Sequence, residues 1–210
     1  MKVALYGATG KSGSRILKEL VARGHQVTAI ARDPAKLPQA GKDLIVKRDD
    51  LSDPTHIAAT VDGVDAVISA YGPPQDHPDE IVGVTQRQVD ALSKKPNTRL
   101  IVVGGAGGLN VAPGVTLIDS GYLPEPYLPI ANAHVKALNV LKASKIDWTY
   151  LAPAAYFEPG QRTGKFRLGK DELIADSAQE SRISMEDYAV ALVDELETPR
   201  HRGERFSVGY

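Results

Sequence analysis

The chain of 210 residues contains no cysteine. Disulfides, thiolate nucleophiles and cysteine-ligated metals are excluded, and the composition suits a reducing compartment. There is no surplus of charge of either sign, because 25 Lys and Arg face 26 Asp and Glu and leave a formal net charge of −1. Without a basic surplus the chain lacks the electrostatic footprint of a nucleic-acid or anionic-membrane partner, and neither is expected. The five histidines are scattered without ligand-like spacing, so no metal site is expected. No apolar run approaches the roughly 20 residues that cross a bilayer. The first apolar run begins directly after Met1 with no leader-like pattern ahead of it, which makes the cytoplasm the expected location. Aromatic residues are sparse, at 6%, so those that fall in loops are worth reading one by one.

Hydrophobic residues make up an ordinary 42%, and the length suits a single α/β domain over 1–210. Short apolar runs read as strands at Lys2–Tyr6, Gln26–Ala31, Asp43–Lys47, Ala66–Ala70, Arg99–Val103 and Trp148–Leu151, with a last one at Glu204–Val208. Helical periodicity falls between them, at Arg15–Arg23, Pro54–Val61, Glu80–Ser93 and Ala131–Ser144. A further helix is predicted from Ser184, an N-cap with Asp187 completing a capping box, to Glu197 before Pro199. Alternation of this kind implies parallel strands covered on both faces, a Rossmann-type doubly wound sheet with ligands outside the C-terminal strand ends. Two segments lack this order, at about 104–130 and 153–182. Each follows a sheet strand and is predicted to build a pocket loop at the C-terminal edge. Within the second, Lys165–Leu168 and Glu172–Ala175 read as a small hairpin across Gly169. The helix 80–93 offers a homodimer face as readily as an ordinary packing face.

The densest signal is Gly7-Ala8-Thr9-Gly10-Lys11-Ser12-Gly13, between the first strand and the first helix. A glycine-rich turn there aims backbone N–H groups and a helix N-terminus at an anion, which suits the pyrophosphate of a dinucleotide. Thr9 to Ser12 would supply the amides. Gly10-Lys11-Ser12 imitates the ending of a nucleoside-triphosphate loop, but that loop needs a glycine where Leu5 stands inside the strand. Strand two ends at Ala31-Arg32-Asp33-Pro34, so a basic residue occupies the position that separates the two dinucleotides. Arg32 can bind a 2′-phosphate bidentately, with Lys36 nearby, while Asp33 reads as an N-cap before Pro34. NADP(H) is therefore expected over NAD(H). Asp50 and Leu51, just past strand three, are candidates for the adenine amino group and the adenine face. Asp50 reads equally as a turn residue. Ala70 and Gly72, after strand four, would let the backbone approach ribose and pyrophosphate.

These residues, with the strand-five ending Val102-Val103-Gly104-Gly105-Ala106-Gly107, Trp148-Thr149-x-Leu151-x-Pro153 and Arg182-Ile183-Ser184-x-Glu186-Asp187-Tyr188-Ala189, resemble the atypical short-chain dehydrogenase/reductases. More narrowly, the chain is similar to the NmrA-like and NADH-flavin reductase group that includes biliverdin reductase B. The resemblance spans nearly the whole length. It implies cofactor contacts at Gly7, Thr9, Gly10, Lys11, Gly13, Arg32, Asp50, Leu51, Ala70 and Gly72, and nicotinamide-side contacts near Gly104, Gly105, Ala106, Pro153, Ala154 and Ala155.

The departures bear on chemistry. Alcohol-specific members use Tyr-x-x-x-Lys and a serine after strand five, with the tyrosine as proton donor. No tyrosine here has a lysine four residues on. Lys136 fits the lysine position, with Asn132 where the tyrosine would stand, and the Gly104–Gly108 run carries no hydroxyl. Hydride transfer to a planar conjugated acceptor such as a flavin or quinone remains open, because such an acceptor delocalises charge and takes its proton from water. Tyr122, Tyr127, Tyr156 and Phe157 lie in the pocket loops and are candidates to stack on such a ring. Lys136 is a candidate for the ribose hydroxyls and His134 for a proton source, with His77 weaker still. The same absences suit a non-catalytic sensor of dinucleotide redox state. A nucleotide-sugar epimerase would normally keep Tyr-x-x-x-Lys and a larger C-terminal lobe.

Overall fold

The computed structural model describes residues 1–210. The glycine turn joins β1 (Lys2–Tyr6) to α1 (Lys11–Ala22), which is followed by β2 (Gln26–Ala31), β3 (Leu44–Arg48) and α2 (Pro54–Thr60). Next come β4 (Ala66–Ser69), α3 (Glu80–Leu92), β5 (Arg99–Val103), the short strands β6 (Asn110–Ala112) and β7 (Val115–Thr116), and α4 (Leu128–Ala143). The chain ends with β8 (Trp148–Ala152), β9 (Tyr156–Glu158), β10 (Arg167–Gly169), β11 (Arg182–Ser184), α5 (Met185–Glu197) and β12 (Glu204–Gly209). No helix is long and apolar enough to cross a membrane.

Eight strands form one sheet in the order β10-β12-β8-β5-β4-β1-β2-β3. All neighbours are parallel except β10, which runs antiparallel to β12 at the edge. The order reverses between β1 and β4, the crevice where doubly wound sheets bind ligands. Alternate side chains of each strand feed two cores. Val3 and Leu5 of β1, Ile68 of β4 and Ile101 and Val103 of β5 pack under α1 and α5 with Ile16, Leu20, Leu192 and Leu196. Ala4, Tyr6, Val67, Leu100 and Val102 face the other way, against Ile57, Val84, Leu92 and Leu141 of α2, α3 and α4. Burial on both faces explains why the strands read as unbroken apolar runs.

Four sequence expectations are corrected. Helix α1 begins at Lys11, not Arg15, because its first turn is built from the glycine run, where low helix propensity hides the periodicity. Helix α4 begins at Leu128, ahead of the expected Ala131, with Pro129 in its first turn. The hairpin across Gly169 does not form: Arg167–Gly169 pairs with β12, while Glu172 bridges to Asn110. The capping box at α5 is half made. Ser184 Oγ accepts from Asp187 N–H at 3.0 Å, but the Asp187 carboxylate turns to the N–H groups of Thr163 and Gly164 and the Tyr210 hydroxyl, and Tyr210 Oη takes the Ser184 N–H.

Those Asp187 bonds also redirect the second loop. From β9 the chain crosses the α1–α5 face, where Arg162 forms a bidentate pair with Glu19 of α1 at 2.8 and 2.9 Å, and then runs on to the sheet edge. The two ends of the segment are tied together as the parallel pair β9–β11, and its residues 171–173 bond to Asn110 of the loop that follows β5.

Candidate functional site

The C-terminal ends of β1 and β4 meet at Gly7 and Ala70. Gly7 has φ 74, and a Cβ there would lie 2.2 Å from the Ala70 carbonyl oxygen, so the strand ends can approach this closely only with glycine. Gly13, inside the first turn of α1, has an equally strict reason: a Cβ would come 2.0 Å from the Gly7 oxygen. The middle glycine is different. Gly10 has ordinary extended backbone, φ −74 and ψ 169, and its missing Cβ would sit 3.2 Å from a single protein atom. Sterics within the protein account for Gly7 and Gly13 but only weakly for Gly10. An exposed Gly10 is what the close approach of a ligand to the backbone requires.

The donors needed for an anion stand beside it. The first intrahelical bond of α1 is Ser14 N–H to Gly10 O, at 2.9 Å, so the N–H groups of Lys11, Ser12 and Gly13 are not used by the helix. Gly10 brings no side-chain cap, and no acidic residue stands in the first turn. By contrast, Asp53 caps α2 and Ser184 caps α5. Free donors, the positive end of the helix dipole and exposed Lys11 together suit a pyrophosphate. The turn is anchored by Arg15, which donates to the Lys11 carbonyl at 2.7 Å and to Glu186 at the start of α5 at 2.5 Å. Burial would raise the Glu186 carboxyl, but the Gly160 N–H and Arg15 outweigh it and hold it below its ordinary range.

At the end of β2, Asp33 caps a short 3-10 turn, Pro34–Lys36, by accepting from Ala35 N–H at 3.2 Å. That accounts for the carboxylate that would otherwise argue for NAD. Lys36 lies 3.8 Å from Asp33 in an exposed pair, whereas Arg32 is exposed and enters no ion pair within the protein. After β3, Asp50 is exposed and accepts from Ser52 N–H at 3.0 Å, the turn geometry read as its alternative. Its neighbour Asp49 is the structural residue, and the sequence reading passed over it. Asp49 is buried and accepts from Tyr6 Oη at 2.7 Å and from Leu51 N–H at 2.8 Å. Leu51 is buried in the α2–α3 core at φ 63, left-handed backbone that leucine rarely adopts. Gly72 is exposed, and a Cβ there would meet nothing, so no protein contact demands glycine at this position.

The run after β5 has a different explanation from the flat floor that its composition suggests. A Cβ on Gly104 would lie 2.2 Å from the Tyr150 ring, and one on Gly105 would lie 2.9 Å from the His134 imidazole. These glycines make room for Tyr150 of β8 and His134 of α4. Tyr150 is fully buried, accepts from Gly105 N–H at 2.9 Å and lies 3.3 Å from His134 Nδ1. Burial raises the Tyr150 hydroxyl and pushes His134 down to about 4, so neither is poised to give up a proton at neutral pH. Sequence reading missed Tyr150 because it sits inside a strand pattern, where an aromatic reads as core.

The remaining candidates are dispersed. Lys136 is exposed and paired at 2.9 Å with Asp79, just before α3, while Asn132 donates to the Leu128 carbonyl one turn back. Pro153 and Ala154 are buried at the end of β8, and Ala155 is exposed. Tyr122, Tyr127 and Tyr156 are 81%, 60% and 61% exposed, and the Arg182 guanidinium lies over the Tyr156 ring. Phe157 is not free to stack on a ligand, because it packs on Tyr188 with ring centroids 4.6 Å apart. His77 is exposed beside Asp76.

Comparison with known proteins agrees with this geometry. Residues 7–199 match the model of a family described as NAD(P)H-binding. The Bacillus subtilis protein YwnB is 42% identical over 99% of this chain and 98% of its own. Among solved structures, a provisionally named epimerase from Bacteroides thetaiotaomicron is 45% identical with a TM-score of 0.93, covering 100% of this chain and 96% of that one. A provisionally named NADH-flavin reductase from Streptococcus pneumoniae is 33% identical with a TM-score of 0.89, covering 100% and 99%. The chain belongs to the NAD(P)H-binding family, in agreement with the short-chain dehydrogenase/reductase resemblance of its motifs.

Proposed function

We propose that this member of the NAD(P)H-binding family is an NADP(H)-dependent reductase whose acceptor is a planar conjugated molecule such as a flavin or quinone. The chemistry a reduced dinucleotide supplies when bound is hydride transfer. The residues that would hold it are the N–H groups of Thr9 and of Lys11 to Gly13 for the pyrophosphate, the Gly10 N–H being taken by the Gly7 carbonyl at 2.9 Å, Arg32 for the 2′-phosphate, and Asp50, Leu51, Ala70 and Gly72 for the adenosine side. Gly104, Gly105, Ala106, Pro153 and Ala154 would border the nicotinamide side.

The observation that carries the acceptor class is the protonation chemistry around the end of β5. Tyr150 is locked under Gly105 with its hydroxyl raised, and His134 is neutral at neutral pH. Lys136 is exposed and pairs at the surface with Asp79. A carbonyl acceptor would need a proton donor from the protein, and a conjugated ring that draws its proton from water would not. The chain's own contribution is then to align two flat partners and exclude competing geometries. The Streptococcus relative's name points the same way. The epimerase name of the Bacteroides relative fits less well, since the Tyr-x-x-x-Lys pair is missing here.

Purified protein with NADPH and a panel of FMN, FAD, quinones and biliverdin is expected to oxidise NADPH with at least one acceptor, followed by the loss of nicotinamide absorbance. Tight NADPH binding without turnover on any of them would favour a non-catalytic redox sensor, the reading that a site without a poised acid also suits.

Cofactor choice has its own test. A guanidinium–phosphate pair with charge-assisted hydrogen bonds contributes about 1.5–3 kcal/mol, or roughly 10- to 150-fold in affinity. Arg32→Ala is expected to weaken NADPH by about that factor and NADH by less than about threefold, measured by fluorescence titration. Equal losses for the two dinucleotides would remove the 2′-phosphate from Arg32.

A further inference from the structure

Arg87 projects from α3 and belongs to no motif of the sequence. Its Nε donates to the Leu51 carbonyl at 2.6 Å. Leu51 is the buried residue at φ 63, a conformation that leucine keeps only where its surroundings hold it. Two polar contacts do the holding: Asp49 takes the Leu51 N–H at 2.8 Å, and Arg87 takes its carbonyl. Space for the guanidinium comes from Gly83, one turn earlier on α3, where a Cβ would lie 3.2 Å from Arg87 Nη1. The two terminal nitrogens make no hydrogen bond or ion pair within the protein. Arg87 and Arg32 both lie close enough to Tyr71 for their charges to act on its phenol, which donates to Glu80 at 2.7 Å. One edge of a planar cation is therefore fixed on the turn that follows β3, and the other is free of protein partners.

We propose that Arg87 is a positioning residue of the adenine subsite: its Nε fixes the Asp50–Leu51 turn, and its free guanidinium edge meets the purine ring. A guanidinium suits this task because it is planar, permanently charged and able to stack or donate to an aromatic heterocycle. The inference rests on the dinucleotide reading of the site. It assigns the two arginines different roles. Arg32 discriminates between dinucleotides through the 2′-phosphate, whereas Arg87 serves the adenosine half common to both.

The test is a set of dissociation constants for NADPH, NADH, 5′-AMP and reduced nicotinamide mononucleotide with the wild type, Arg87→Ala, Arg87→Lys and Arg32→Ala. Arg87→Ala is expected to weaken NADPH, NADH and 5′-AMP by a similar factor of about ten, and to leave the mononucleotide, which has no adenosine, unchanged. Arg87→Lys keeps a donor for the Leu51 carbonyl and is expected to recover part of the loss, which also keeps the test decisive if the alanine variant folds poorly. A loss confined to NADPH, equal losses that include the mononucleotide, or no loss at all would overturn the proposal. If wild type binds the dinucleotides and Arg32→Ala shows its NADPH-specific loss while Arg87→Ala and Arg87→Lys bind normally, this inference alone fails. If wild type binds no dinucleotide, the reading beneath it fails too.

Discussion

Gly10→Ala is expected to fold like wild type and lose tenfold or more in dinucleotide affinity, whereas Gly7→Ala and Gly13→Ala are expected to lose about 3 kcal/mol or more of stability. The contrast follows from what each missing Cβ would meet. At Gly7 an alanine would have to adopt φ 74 and place its Cβ 2.2 Å from the Ala70 oxygen. The left-handed backbone alone costs about 1–2 kcal/mol, and the clash is with main chain, which cannot swing aside as a side chain can. At Gly13 the backbone is helical and unstrained, but a Cβ 2.0 Å from the Gly7 oxygen would push α1 off the end of β1. Either loss is a large fraction of the roughly 5–15 kcal/mol that keeps a domain folded. Gly10 has backbone that alanine adopts freely and a single contact at 3.2 Å, so the fold loses at most about 1 kcal/mol, chiefly through the poorer N-cap. The added methyl would instead occupy the space in front of the free N–H groups of Lys11 to Gly13. Urea denaturation of the three variants together with NADPH titration separates the two kinds of loss. Wild-type affinity in Gly10→Ala would mean that the middle glycine does not face the pyrophosphate.

This division also shows where sequence reasoning reaches and where it stops. The strands β1, β2 and β5 were legible to the residue, because burial on both faces writes itself as a continuous apolar run. The glycine turn between β1 and α1 was legible because its geometry needs glycine at fixed offsets, and the N-cap role of Asp33 because Pro34 follows it. The start of α1 was not, since its first turn is built from Ser and Gly, whose low helix propensity hides the periodicity. Gly104 and Gly105 were seen as glycines but not as room for Tyr150 and His134, which lie about 30 to 45 residues further along the chain. Asp49 and Asp50 are indistinguishable in one dimension, and only the fold shows that Tyr6 takes the first and leaves the second in solvent. Arg87 reaches the Leu51 carbonyl from a helix whose pattern reports only its buried face. Residues whose role is local announced themselves, while those whose role depends on a distant partner did not.

The second large effect is expected at the opposite edge of the sheet, where Glu195→Ala should cost about 3–5 kcal/mol and leave dinucleotide affinity unchanged. Glu195 of α5 and Arg99 at the start of β5 form an ion pair whose side chains are 4% and 5% exposed. The Glu195 carboxylate also accepts from the N–H groups of Arg200 and His201, each at 3.0 Å, and from His201 Nδ1 at 2.8 Å. Arg99 reaches the Glu195 carbonyl at 3.0 Å and the Thr149 hydroxyl. One carboxylate thus fastens the end of α5 to β5, β8 and the turn into β12. Burial would raise the Glu195 carboxyl, but the donors around it prevail and hold it below its ordinary value of 4.5. The depressed value makes its contribution to stability complete above that ordinary range, and the contribution fades as pH falls through the folded-state value. Removing the carboxylate leaves a buried guanidinium whose Nε has no hydrogen-bond partner and whose remaining acid, Asp147, stands 4.0 Å away. That weakly compensated charge, more than the lost contact, sets the size of the effect. A thermal melt at neutral pH should show Glu195→Ala lower by roughly 6–20 °C for a domain of this size. The double variant Glu195→Leu with Arg99→Met should recover most of the loss, because exchanging a buried pair for apolar side chains is often neutral or stabilising. A double variant as unstable as Glu195→Ala would show that the hydrogen bonds to Arg200 and His201, not the charge left on Arg99, are what the alanine removes.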